Sequence, residues 1–330
     1  MKEQVLALLA IHKDEYISGE AISGSLGVSR AAVWKAIAAL REDGYTIEAA
    51  PRRGYRLTAA PDGLTAGTIL PHLKDKTHPE RLICLPSVDS TNNYAKTLAM
   101  RGGADGTYIT ADEQTGGRGR QGRSFLSPKG KGIYLTALYR PNVTPLRAMS
   151  LTSYAAVAVC DGIEAACGVR PGIKWTNDIV LGKRKLCGIL TEMAVEGETG
   201  ALQYVIVGIG TNANHAPEDF PPEIQHIATS LAMELGHPVD RGRLCAELIN
   251  AMQKMYAVWL TPGQDRYFEQ YRKDCLTLGR FVYILRGDTT ETAYAEDIDR
   301  YFGLIVEYSD GRREHLQAGE VSIRGLCGYN

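Results

Sequence analysis

The sequence predicts an α+β chain in three parts: an N-terminal winged helix-turn-helix, a central domain on a mixed sheet, and a small C-terminal β barrel. Three observations lead there. Residues 1–60 contain three short helical periods followed by two strand-like runs. Residues 67–274 interleave apolar strand runs with long amphipathic helices. Beyond Leu276 the pattern becomes FVYIL, TAYAED, GLIVEY and EHLQ, separated by Gly-Asp and Asp-Gly turns. At 330 residues the chain is too long for one small core. Domain boundaries are placed at 1–62, 67–274 and 275–330, with the Pro/Gly-containing TAAPDGLTA (58–66) as the first joint.

The first helix is expected over residues 2–12, the second after Ser18 and stopping near Gly27, and the third after Ser29, a good N-cap. Val33, Ile37 and Leu40 share one face of the third helix at i, i+4, i+7. Gly27 supplies an unhindered corner between the second and third helices, and Gly44 ends the third. TIEAAPRRGYRLT then reads as two strands about a Pro51-Arg52-Arg53-Gly54 tip. This layout puts Ser29, Arg30, Ala31, Trp34 and Lys35 at the amino-terminal end of a helix that would enter a DNA major groove. Arg52 and Arg53 would meet phosphates or the minor groove. Residues 1–64 balance eight basic against eight acidic groups, whereas 30–56 hold six against three, so any attraction to DNA is local. The same layout also serves as a protein-contact module, and an exposed Trp34 suits either a base or a partner.

RLICLPSVDSTNNYAKTLAM reads as strand, turn and helix, with Ser90, Thr91 and Asn92 at the helix start. One such residue caps the helix; three in a row exceed that need and suit a small polar head group. Residues 145–168 form a long helix beginning at Thr144-Pro145, with Leu151, Ala155, Val159 and Ile163 on its apolar face. GIKWTNDIVLGKRKLCGILTEM follows as a hairpin turning at Gly182-Lys183-Arg184. Asn177-Asp178 precedes its first strand and Lys185 opens its second; the bland readings are a turn pair and a solvated strand end. YVIVGIGTNAN (Tyr204 to Asn214) is a strand that matches G-x-G-x-x-A from Gly208. That dinucleotide fingerprint must open a helix, and Pro217, Pro221 and Pro222 forbid one. The helix around Leu244–Trp259 is core.

Between Gly116 and Gly132 runs GGRGRQGRSFLSPKGKG, with six glycines, three arginines, two lysines and no carboxylate. Glycine lets the backbone approach a ligand closely, and arginine offers planar paired donors to carboxylate or phosphate oxygens. Alone, such a stretch reads equally as a solvated surface loop. Here it hangs between the strands Tyr108–Ala111 and Gly132–Leu138, with Gln114 at its start, and suits a cationic flap over a phosphate-bearing ligand. Gly117-x4-Gly122-Arg123-Ser124 mimics a Walker A loop, but Ser127-Pro128 and Gly130 stand where its helix is required.

A net charge of −1 gives no whole-protein field toward nucleic acid or membrane. Seven cysteines form no CxxC pair and mostly sit in apolar runs, as reduced core thiols of a cytoplasmic protein would. The early apolar run Val5–Ile11 is too short to span a bilayer. Neither zinc-ligand spacing nor any other protein-held metal site is found.

Taken in order, SVDSTN, GGRGRQGRSFLSPKGKGIYLT, KWTNDI with RKLCGIL, VGIGTNAN and a terminal GEVSIRG resemble the biotin–protein ligases. With the winged helix in front, the chain resembles the bifunctional ligases of that family that also repress biotin operons. The resemblance covers nearly the whole chain, and the GRGRxGRxF-type loop is its most specific part. Thr176 departs from the usual KWPND and Phe125 from a frequent tryptophan; neither is expected to alter the chemistry. The resemblance implies a biotin/lipoate-ligase-like catalytic domain and an SH3-like C-terminal barrel. It implies condensation of biotin and ATP to biotinoyl-5′-AMP, with Mg²⁺ accompanying the nucleotide, and transfer to a lysine of a biotin carboxyl carrier domain. Ser90, Thr91, Asn92 and Gln114 match biotin recognition. Arg118, Gly119 and Arg120 match the shared biotin and adenylate site, Arg123 the phosphates or the closed flap, and Asn212 the adenine. Lys185 would bridge carboxylate and α-phosphate, and Asp178 would receive the carrier lysine. A ligand-promoted homodimer on operator DNA completes the implied picture. The alternatives are a ligase whose winged helix does not bind DNA, a ligand sensor without catalysis, and a lipoate ligase. The Arg118/Arg120/Lys185 set disfavours the sensor, since a sensor of biotin alone needs no phosphate cations.

Overall fold

The computed structural model describes residues 1–12, 14–61, 63–261 and 266–317 together with the backbone of Ser322–Gly325; of Gln121 it describes the backbone alone. The first three residues of GEVSIRG, and Cys327, lie outside the described residues.

Helices α1 (Lys2–Ile11), α2 (Gly19–Leu26) and α3 (Arg30–Glu42) precede the antiparallel pair β1 (Thr46–Ala50) and β2 (Gly54–Ala59). The local chemistry is as expected. The Ser18 hydroxyl accepts from the Ala21 amide and that of Ser29 from the Ala32 amide. Gly27 closes α2 at φ +64°, where a side chain would be strained. Val33, Ile37 and Leu40 are buried against α1 and α2. The joint after β2 is partly folded: α4 (Ala66–Ile69), closed by a Thr65/Thr68 capping box, packs between α1 and the later helix Arg241–Leu260.

The central domain runs β3 (Leu82–Leu85), α5 (Thr91–Met100), β4 (Thr107–Ala111), β5 (Gly132–Tyr139), α6 (Pro145–Met149) and α7 (Leu151–Cys167). It continues with β6 (Gly172–Lys174), β7 (Asp178–Leu181), β8 (Arg184–Val195), β9 (Leu202–Asn212), α8 (Leu231–Leu235), α9 (Arg241–Leu260) and α10 (Arg266–Asp274). The single helix expected over 145–168 is two. At the junction the Ser150 hydroxyl donates to the Arg147 carbonyl at 2.8 Å and accepts from Trp259 Nε1 at 3.0 Å. A side chain that takes a helix carbonyl competes with the helix itself.

The seven strands are ordered β3-β4-β5-β9-β8-β7-β6, parallel only between β3 and β4. Alternation divides the apolar side chains between two faces. Ile109, Leu138 and Ile206 meet Ala95 and Ala99 of α5. Tyr108, Ala137, Val205 and Val207 join the larger core that includes α7 and α9. A five-stranded antiparallel unit follows: β10 (Arg280–Arg286), β11 (Thr289–Ile298), β12 (Leu304–Tyr308), β13 (Arg313–Leu316) and β14 (Ser322–Gly325). Its order is β13-β12-β11-β10-β14. It locks onto the central domain through Phe302, whose carbonyl accepts from Trp175 Nε1 at 2.9 Å and whose ring packs against Tyr154, Phe268 and Tyr271. Among the described residues no helix is long and apolar enough to cross a membrane.

Candidate active site

Strand register leaves one region of the sheet without side chains. Asp178 of β7 pairs with Gly188 of β8, which pairs with Gly210 of β9. Gly208, two residues back on the same strand, also faces outward there. A Cβ at Gly208 would lie 2.2 Å from Asn92 Oδ1, and one at Gly210 2.6 Å from the Phe125 ring. The glycines that mimic a dinucleotide fingerprint are therefore a floor on which other groups sit. Above that floor opens a cavity of about 700 Å³.

The start of α5 forms one end. Ser90 occupies the N-cap position without making a capping bond. Gln114, 23 residues beyond Thr91, caps instead: its Oε1 accepts from the Thr91 amide at 2.9 Å and the Thr91 hydroxyl at 3.0 Å. Gln114 Nε2 donates to Ser127 Oγ at 2.9 Å, which fixes the carboxamide's orientation. Asn92 is held by the Thr136 hydroxyl at 2.7 Å and by Glu192 at 2.9 Å. Only Ser90, 2% exposed and lining the cavity, keeps a hydroxyl uncommitted among the bonds described. This end is neutral, polar and rigid.

The other end is charged. The glycine–arginine loop is folded on itself: the Gly119 amide donates to Arg123 O at 2.7 Å and the Phe125 amide to Gly117 O at 2.9 Å. Gly117 is required here, because a Cβ would stand 2.3 Å from Phe125 O. Arg120 Nη1 docks the loop onto Asn177 Oδ1 at 2.7 Å and Thr176 Oγ1 at 3.2 Å. The Trp175–Thr176 peptide is cis. Arg118 and Arg123 extend into the cavity as exposed cations. Lys185 Nζ sits 2.7 Å from Asp178 Oδ1. Five cationic side chains (Arg118, Arg120, Arg123, Lys174, Lys185) thus face two carboxylates, Asp178 and Glu223. The excess of three positive charges suits an anionic ligand that carries more than one charge.

Of the residues singled out in the sequence, Ser90, Thr91, Asn92, Gln114, Arg118, Gly119, Arg120, Arg123, Asp178 and Lys185 line this one cavity. Asn212 does not. It is buried on β9, with Nδ2 donating to the Thr229 carbonyl at 2.9 Å. Lys174 was missed, although it opens the quoted KWTNDI; it is 8% exposed and lines the cavity. Glu223, His226 and Ile227, from the loop after β9, carry no local signal and reach the cavity only through the fold. At the N-terminus Ser29, Arg30, Ala31, Trp34 and Lys35 are all exposed at the start of α3, Trp34 at 65%. Arg52 stands at the wing tip at φ +64°, and the Arg53 guanidinium lies 4.2 Å above the Tyr16 ring.

Burial pushes the Cys187 and Cys245 thiols up to about 12, so neither supplies a thiolate near neutral pH. His215 roots the loop that follows β9. It is 1% exposed, stacked on Phe220 at 5.1 Å, and neither ring nitrogen has a hydrogen-bond partner. Burial lowers its pKa from 6.5 to about 4. Between those values the unfolded chain binds a proton that the folded chain refuses, so stability falls as pH drops through that window. His215→Phe is expected to flatten this decline, read from urea midpoints at about pH 7 and about pH 5. An unchanged decline would mean that other groups cause it.

The layout of neutral pocket and cationic loop on a mixed sheet, behind a helix-turn-helix, is that of an acyl-adenylating ligase with a DNA-binding module. Residues 84–212 match the Biotin/lipoate A/B protein ligase family and residues 2–56 an HTH domain. Over the whole chain the similarity narrows. The Bifunctional ligase/repressor BirA of Bacillus subtilis (strain 168) is 40% identical over 318 residues, 96% of this chain and 97% of its own. Its counterpart in Escherichia coli (strain K12) is 31% identical over 323 residues, 97% of this chain and 96% of its own. The chain belongs to this family of bifunctional ligase/repressors. Among solved structures, the biotin protein ligase from Aquifex aeolicus in complex with biotin and ATP superposes with a TM-score of 0.63 at 28% identity, covering 74% of this chain and 98% of that one.

Proposed function

We propose that the cavity condenses biotin with ATP, and that its product acylates a lysine of a biotin carboxyl carrier domain. A biotin carboxylate oxygen attacks the α-phosphorus and pyrophosphate leaves, giving biotinoyl-5′-AMP. The carrier amine then attacks the acyl carbon and AMP leaves. Both steps gather negative charge between groups that are already anionic, so fixed cations are the main requirement. The observation that carries this reading is Lys185 beside Asp178, in one cavity with Arg118 and Arg120, whose other end is neutral and polar.

In this reading Ser90, Thr91, Asn92 and Gln114 hold the head group of biotin, and the rigid bonds among them keep the pocket preorganised. Arg118, Gly119 and Arg120 border the acyl phosphate, and Arg123 steadies the phosphates or the closed loop. Lys185 bridges the reacting carboxylate and α-phosphate. When both ligands enter, its ammonium turns from Asp178 toward them, and the Asp178 carboxylate orients the incoming amine or takes its proton. Mg²⁺ enters with ATP. In this reading phosphate and water oxygens would supply most of its ligands.

The winged helix would present α3 to operator DNA, and ligand-ordered loops would complete a homodimer that sets two such helices at half-sites. Enzyme, carrier and operator would meet in the cytoplasm. Biotin-dependent exchange of pyrophosphate into ATP tests the chemistry; exchange supported by lipoate and not by biotin would reassign the acyl group. Sedimentation with and without biotin and ATP tests the dimer, where an unchanged monomer population would count against it. A gel shift with the upstream region of biotin genes tests the repressor.

A further inference from the structure

Lys185 is held from outside its own hairpin. Its amide donates to the Ile227 carbonyl at 2.7 Å and its carbonyl accepts from the Thr229 amide at 2.9 Å. These bonds form a short parallel pairing with the loop after β9, the same loop that brings Glu223, His226 and Ile227 to the cavity. One carboxylate oxygen fastens both sides of this pairing. Glu234 Oε1, on α8, accepts from the Thr229 hydroxyl at 2.6 Å and from Arg184 Nη2 at 2.7 Å. Arg184 immediately precedes Lys185, and Thr229 follows Ala228, the residue paired with Lys185. The Glu234 side chain is only 18% exposed. The hairpin turn is shaped to admit it: Gly182 sits at φ +56°, and a Cβ there would stand 2.3 Å from Glu234 Oε2. Asn212 Nδ2 also donates to the Thr229 carbonyl, at 2.9 Å.

We propose that Glu234 is a positioning residue for adenylation, acting on Lys185 through Thr229 and Arg184. It makes the seating of the loop and the placement of the Lys185 ammonium a single event, so a nucleotide that settles the loop also sets the cation. This inference rests on the role given to Lys185 above. Displacing a charge by about 1 Å from its working position costs up to about 100-fold in rate.

The test compares Glu234→Ala, Glu234→Gln, Thr229→Val, Thr229→Ser and the Glu234→Ala/Thr229→Val pair in biotin-dependent pyrophosphate exchange, with Lys185→Ala as control. Glu234→Ala is expected to lower kcat by about 10- to 100-fold. The KM for biotin should change far less than kcat, because Ser90, Thr91, Asn92 and Gln114, which hold the head group, make none of the bonds that Glu234 makes. Glu234→Gln, which keeps an acceptor for Thr229, and Thr229→Ser, which keeps the hydroxyl, should each retain more activity than the variant that removes the group. In the double variant the two losses should not multiply, as expected for groups acting through one contact. A merely structural carboxylate would lower the thermal midpoint and leave kcat alone, and that result overturns the proposal. So do losses that multiply independently. If Lys185→Ala exchanges at the wild-type rate, the mechanism itself fails. If Lys185→Ala is inactive while Glu234→Ala keeps wild-type kcat, only the positioning role fails.

Discussion

Replacing Lys185 by alanine is expected to abolish most adenylate formation while the protein stays folded. The side chain is 31% exposed and lies at a cavity wall rather than in the core, so its packing contribution is small. Its electrostatic contribution is large for two reasons. The ammonium is the cation that would lie between two approaching anions, and removing it leaves Asp178 without its 2.7 Å partner. The Asp178 carboxylate, with one counter-charge fewer beside the reacting oxygens, then opposes the reaction as well. Removing one such preorganised group costs about 3 kcal/mol or more in the barrier. Pyrophosphate exchange measures the loss, and the far-ultraviolet spectrum and thermal midpoint verify the fold. Exchange at the wild-type rate would remove Lys185 from the chemistry and shift the burden to Lys174, Arg118 and Arg120.

The paired substitution Arg52→Ala with Arg53→Ala is expected to weaken operator binding almost uniformly across sequences. Within the wing, Arg56 is matched by Glu48 at 2.6 Å, and Tyr16 adds a hydroxyl to the same carboxylate at 2.9 Å. Arg52 and Arg53 remain as the outward charges of the tip. Because phosphate contacts release counterions, each lost contact should flatten the slope of log affinity against log salt by about 1. Trp34→Ala, on the exposed start of α3, should instead change affinity unequally between sequences. Ligase activity should be untouched by the wing substitutions. Loss of ligation with DNA binding intact would mean that the wing serves the enzyme.

Local chemistry was legible in the sequence wherever it decides the outcome. The Ser18, Ser29 and Gly27 caps, the faces of α3 and α7, and the rejection of both phosphate-loop mimics depend on neighbours a few residues apart. Features made by distant chain segments were not legible. Gln114 capping α5, Ser150 dividing a helix through Trp259, and Asn212 holding Thr229 each join residues that only the fold brings together. The site followed the same division. Motif residues on strand ends and helix starts were found, because their type and spacing carry the chemistry. Lys174 was hidden inside a motif read for its neighbours, and the loop after β9 offered only prolines.

The most direct measurement is amide hydrogen exchange across residues 116–132, with and without biotin and ATP. If the arginine loop closes over an activated acid and excludes water, these amides should become protected as adenylate accumulates. Adenylate that builds up while the segment exchanges as freely as in the ligand-free protein would contradict that closure.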